Sequence, residues 1–121
     1  MGTDMMLSHT FEHGVLIIDV HRDPGAARHM TLATEIRDLV RAHSPVPAVI
    51  VLDEGATSRA SVCAVLSAHR MCNRLGVLMS VATHSAPARR LLEAGADTGG
   101  TRLVVHARTD VAVAVAFTAA A

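Results

Sequence analysis

Lysine is missing from this sequence: all 11 basic residues are arginine. That excludes a P-loop phosphate-binding lysine and every Schiff-base mechanism. Tryptophan and tyrosine are missing too, and phenylalanine occurs twice, although half the residues are hydrophobic. The core must therefore be assembled from Ala, Val, Leu, Ile and Met. There is no charge excess, because 11 acidic residues balance the arginines. No net field draws such a chain to nucleic acid or to an acidic membrane surface. Cysteine is scarce. Cys63 and Cys72 stand nine apart in one expected helix, which excludes a helix-face pair and a zinc knuckle and fits two unbridged thiols in a reducing cytoplasm. Both are expected to serve as small buried hydrophobes. No apolar run approaches the length of a membrane span, and the start, MGTDMMLSHTFEHG, has neither the basic nor the apolar region of a signal peptide. A single cytoplasmic domain over residues 1–121 is the expectation, with a core of respectable size.

What is present is a regular alternation of short apolar runs and amphipathic stretches. Val15 to Ile18, Ala48 to Leu52 and Val77 to Val81 are continuous and rich in β-branched residues, as strands buried on both faces are; Leu103 to Val105 is a weaker fourth. Met6 to Phe11 is placed to pair with the first of these across Glu12-His13-Gly14, as an edge hairpin. Between the strands, Leu32, Ile36, Leu39 and Val40 repeat at helical spacing before Pro45. Val62, Val65, Leu66 and His69 do the same before Gly76. Pro87 suits the first turn of a third helix carrying Ala88, Leu91 and Leu92, stopped at Gly95. In the last segment Val111, Val113, Val115 and Phe117 alternate like a strand, but the alanine filling and Thr109-Asp110 favour a helix. The order β-β-α-β-α-β-α-β-α predicts an α/β domain with a mostly parallel sheet of four to five strands, an antiparallel edge and about four helices. The long exposed connection is His21 to His29, HRDPGAARH.

Eight histidines are spread along the chain without an HExxH motif or an HxxxH pair on one expected helix, so no metal or cofactor is expected. His21, His84 and His106 fall near strand ends, where convergence is the one arrangement that would change this. A Ser-His-Asp nucleophile has no GxSxG elbow to support it, and no enzyme activity is expected. Asp53 ends a central strand, as the phosphoacceptor of a response-regulator receiver does. That chemistry needs an acidic pair after the first strand and a lysine after the last; Ile18-Asp19-Val20 and the missing lysine exclude it. Asp53 is read as capping or solvating its strand end. Thr57-Ser58-Arg59-Ala60-Ser61 then opens a helix, with Ser58 or Thr57 as N-cap, a role that stabilises by ~1 kcal/mol. A phosphate at such a helix start would meet free N–H groups and the positive end of the dipole.

From about Val15 to Ala116 the chain resembles the STAS domain of bacterial anti-sigma factor antagonists. PAVIVLDEGAT resembles that family's buried strand and following turn. SVCAVLSAHRMCNRLGVLMSVATHSAPARRLLEAGAD resembles the next helix, strand and Pro-containing segment, and RLVVHARTDVAVAVA the last strand and helix. Switched members of the family carry Asp-Ser-Ser-Gly at the helix start, the first Ser being phosphorylated by a partner kinase. Aligned on Ala64-Val65-Leu66, this chain has Arg59 at the Asp, Ala60 at the phosphorylated Ser, Ser61 at the second Ser and Val62 at the Gly.

The resemblance implies a STAS-like fold and a regulatory protein that binds an anti-sigma factor/serine protein kinase and so releases a sigma factor. The partner-binding residues would be Asp53, Thr57, Ser58, Arg59, Ala60 and Ser61, beside HRDPGAARH and the exposed side of the helix from Ala60 to Leu75. With Ala60 lacking the target hydroxyl, Ser61 and Ser58 are the phosphorylation candidates. Arg59 would favour an acidic patch on the partner. Two other readings stand beside this one: a STAS scaffold module of a larger assembly without phosphoswitching, and a small-ligand-binding domain. A monomer or homodimer would fit the antagonist, and a large homo-oligomer the scaffold.

Overall fold

The computed structural model describes residues 6–97 and 100–120, without the side chains of residues 26 and 120. Among these residues the strands are β1 (Leu7–Glu12), β2 (Val15–Val20), β3 (Ala48–Leu52), β4 (Met79–Ala82) and β5 (Val104–His106). The α-helices are α1 (His29–Ala42), α2 (Arg59–Asn73), α3 (Ala86–Ala94) and α4 (Thr109–Ala120). Short 3₁₀ turns at Ala26–Arg28 and Glu54–Ala56 precede α1 and α2.

The strands lie side by side in the order β1-β2-β3-β4-β5. β1 pairs antiparallel with β2, and every later pair is parallel. This is the mixed α/β architecture that the element order predicts, and it is consistent with a STAS-like fold. The hairpin closes through His13 and Gly14, whose φ angles of 53° and 75° are those of a two-residue I′ turn. Glycine reaches that region freely, and histidine is among the residues that tolerate it.

A parallel crossover is right-handed because a right-twisted strand and a right-handed helix pack back onto the sheet only that way. As the strand order always advances in one direction, the three crossover helices must share one face. The core shows it: Leu16, Ile18, Val20, Ala48, Ile50, Leu52, Met79 and Val81 pack with Leu32 and Ile36 of α1, Val65 and Ala68 of α2, and Ala88 and Leu92 of α3. The opposite face holds Val15, Ile17, Val49 and Ala82 under Ala112, Val113 and Ala116 of α4.

The last segment is a helix, as expected, and its valines explain the ambiguity. Val113 is buried with Ala112 and Ala116 at helical spacing, whereas Val111, Val115 and Phe117 are exposed. The alternation that imitates a strand plays no part in the packing. The apolar run beginning at Val77 enters the sheet only at Met79, with Leu78 39% exposed.

One expectation about the thiols needs correction. Cys72 is buried, but Cys63 is exposed, and both are free. Val62 and Val65 set the inward face of α2, and each residue advances about 100° around a helix, which turns Cys63 away from the sheet. Burial pushes the Cys72 thiol up to about 11, against a smaller opposing pull from Arg37.

Candidate functional site

The carboxyl ends of β2, β3 and β4 meet the starts of α2, α3 and α4, which is where ligands gather on open parallel sheets. A cavity of about 780 Å³ lies there, lined by Asp19, Asp53, Thr57, Thr83, His84, Ser85 and Thr109 among others. Two hydrogen-bonded constructions border it.

The first joins the HRDPGAARH loop to the start of α2. The Asp23 N–H donates to the Gly55 carbonyl at 3.0 Å. The Asp23 carboxylate accepts from the Ser58 N–H at 3.0 Å and from the Ser61 hydroxyl at 2.5 Å. Ser58 is the N-cap of α2, its Oγ accepting from the Ser61 N–H at 3.3 Å. A carboxylate at a helix N-terminus is favoured by the unpaired N–H groups and the dipole. Desolvation by burial works to raise the Asp23 pKa, but the bonds from Ser61 and Ser58 outweigh it and leave the group below its ordinary value. Gly55 makes the close approach possible, since a Cβ there would stand 2.9 Å from the His21 carbonyl oxygen.

The second joins three strands' worth of chain. His21 follows β2 and Asp53 follows β3; the Asp53 N–H donates to the Val20 carbonyl at 3.0 Å, which sets the two ends level. Asp53 Oδ2 lies 2.6 Å from His21 Nδ1, and Ser8 Oγ of β1 lies 2.7 Å from His21 Nε2. In the neutral imidazole with its proton on Nδ1, that nitrogen donates to the Asp53 carboxylate and Nε2 accepts from the serine hydroxyl. Asp19 lies across the β1–β2 ladder from Ser8. Its pKa is raised, first by burial and then by the Asp53 carboxylate, with His21 pulling the other way.

The candidates named from sequence are thus brought together at one end of the sheet, with different exposures. Arg59 is exposed; Asp53, Thr57, Ser58 and Ala60 are half-buried; Ser61 is fully buried with its hydroxyl committed to Asp23. Asp53 holds a histidine rather than merely facing solvent. Ser8 is the member of these two constructions that sequence reasoning misses; His21 is singled out there only as a strand-end histidine, and Asp23 only as part of the HRDPGAARH loop placed beside the binding residues. Among the described residues no group of three or more His, Cys, Asp or Glu is placed to hold a metal ion, and no helix is long and apolar enough to cross a membrane.

Fold and site together define an α/β domain with a clamped loop–helix surface at the carboxyl end of its sheet. No protein-family model matches the chain, and no curated protein matches it either.

Proposed function

We propose that this domain is a cytoplasmic regulatory module that binds an anti-sigma factor/serine kinase, in the manner of an anti-sigma factor antagonist. The observation that carries the proposal is the clamp at Asp23. It joins two segments 35 residues apart into one surface that bears Thr57, Ser58 and Arg59. A surface ordered before binding avoids the cost of ordering it on contact. Arg59, exposed at the helix start, supplies a cation for an acidic partner patch.

The same clamp gives phosphorylation a mechanical meaning. A phosphate on Ser58 would compete with Asp23 for the N–H groups at the start of α2 and would repel its carboxylate. The loop would then be released, and the binding surface with it. Ser61 is the poorer target, since its hydroxyl must first leave Asp23 and the interior.

The test is calorimetric titration against a panel of anti-sigma factor kinase domains, followed by incubation with ATP and mapping of phosphate by mass spectrometry. Binding should weaken at least ~10-fold in Arg59→Glu, and phosphate, where present, should fall on Ser58. Equal binding by wild type and Arg59→Glu would remove this face from the interaction. A second reading, a small-ligand-binding domain, is favoured by the cavity at the strand ends, whose threonine and serine hydroxyls sit among carboxylates. A thermal-shift screen of neutral polyhydroxylated and amine ligands, with Thr83→Val as control, tests it.

A further inference from the structure

We propose that Ser8 is a nucleophile activated by His21, with Asp53 as the positioning residue, and that it accepts acyl groups from small neutral or cationic esters. Both hydrogen bonds, at 2.7 and 2.6 Å, lie within the reach required for proton transfer from nucleophile to base and for fixing the base's tautomer. The order of roles is that of a nucleophile, a base and an orienting carboxylate, which is recognised by geometry and not by sequence motif. The group is also reachable: the His21 and Asp53 side chains are 36% and 42% exposed.

The register of the hairpin supplies a donor for the developing charge. The two-residue turn makes Glu12 and Val15 a hydrogen-bonded pair, and such pairs alternate along an antiparallel ladder. Ser8 and Asp19 therefore exchange backbone bonds, in phase with the His21 N–H donating to the Met6 carbonyl at 2.8 Å. The N–H groups of Leu7 and His9 consequently point outward from β1, the edge of the sheet. An ester carbonyl approaching Ser8 along this edge meets the His9 N–H, the residue after the nucleophile.

The step balances with water as the co-reactant. Ser8 Oγ bonds to the acyl carbon while its proton passes to His21 Nε2. The bond to the leaving alcohol breaks, and His21 returns the proton to the alkoxide. Water, deprotonated by the same nitrogen, then releases the acid and restores the serine. Asp19 and Asp53 lie on this side of the sheet, so an anionic ester is repelled and a neutral or cationic one is not.

The proposal stands apart from partner binding, because Ser8 is no part of the clamped surface; Ser8→Ala should leave binding by Arg59 unchanged. The experiment treats the whole protein with a fluorophosphonate probe, locates the adduct by mass spectrometry, and follows turnover of p-nitrophenyl acetate. Labelling at Ser8 is expected, abolished in Ser8→Ala. In His21→Ala it should be slower by about 10²-fold or more and be restored in part by added imidazole, which a merely structural histidine would not allow. p-Nitrophenyl acetate should be cleaved at least ~10-fold faster than the anionic p-nitrophenyl succinate monoester. Absence of labelling in the folded wild type, an adduct elsewhere, or a neutral-to-anionic ratio near one would overturn the proposal. Should His21→Ala fail to fold, the adduct site in wild type and in Ser8→Ala decides it.

Discussion

The two faces of the sheet differ in depth and in chemistry. One is covered by three helices and is lined by leucine, isoleucine and valine that are almost wholly out of water. The other has a single helix, and that helix leaves Val111, Val115 and Phe117 exposed on its outer side. Strand alternation assigns Ser8, Asp19, His21 and Asp53 to this thinner side, in phase with Val15, Ile17 and Val51. The handedness of the crossovers imposes the asymmetry, and the polar groups occupy the face that it leaves partly open. The deeper apolar packing and the bonded group of Ser8, His21 and Asp53 thereby fall on opposite sides of one set of strands.

The difference is sharpest in the core. Ile50→Ala, on the covered face, should cost about 2–5 kcal/mol in urea unfolding, because a cavity opens between packed layers. Val113→Ala, on the inner side of the single helix, should cost about 1–2 kcal/mol, two methylene equivalents. Equal losses would erase the distinction between the faces.

The carboxyl end of the sheet comes next. Asp23→Ala should destabilise by about 1–2 kcal/mol, the lower part of the range for charged hydrogen bonds, since the group is exposed. Its depressed pKa means that the stabilisation is present above the ordinary carboxylate value and is lost as pH falls through the folded value. The acid limb of a stability–pH profile should therefore flatten in the variant.

Titration also separates the faces. His69 is 3% exposed, and burial lowers its pKa. The unfolded chain takes up this proton near 6.5 and the folded chain only at lower pH, so stability should fall as pH drops below about 6.5. His69→Gln should reduce that slope, by less than ~1.4 kcal/mol per pH unit. The smallest effect concerns reactivity alone. A thiol reagent at neutral pH should modify Cys63 in the folded protein and Cys72 only after unfolding.

Local signals made most of the fold legible in the sequence. Period and punctuation located the strands and helices because Pro87, Gly95 and Ser58 act on the residues beside them. The site was legible only on one side. Ser58 as N-cap is a local property; the pairing of the Ser61 hydroxyl is not, since its partner Asp23 lies 38 residues away. The bond from His21 to Asp53 likewise spans 32 residues and arises because neighbouring parallel strands end level. A sequence gives the residue at each strand end but not which ends will face each other, and Ser8 enters only through the register of a two-residue turn. Cys63 was misplaced because the local apolar character of a helix does not state its phase.

The strict strand order has a consequence in time. Each new strand finds its neighbour already made, and no late segment has to be inserted between two earlier ones. At about 5–20 residues per second, a ribosome releases such a sheet one strand at a time, widening from the hairpin outward. α4 follows all five strands in the chain, so while the sheet is being made the face it covers stays open to whatever in the cell binds bare β-sheet.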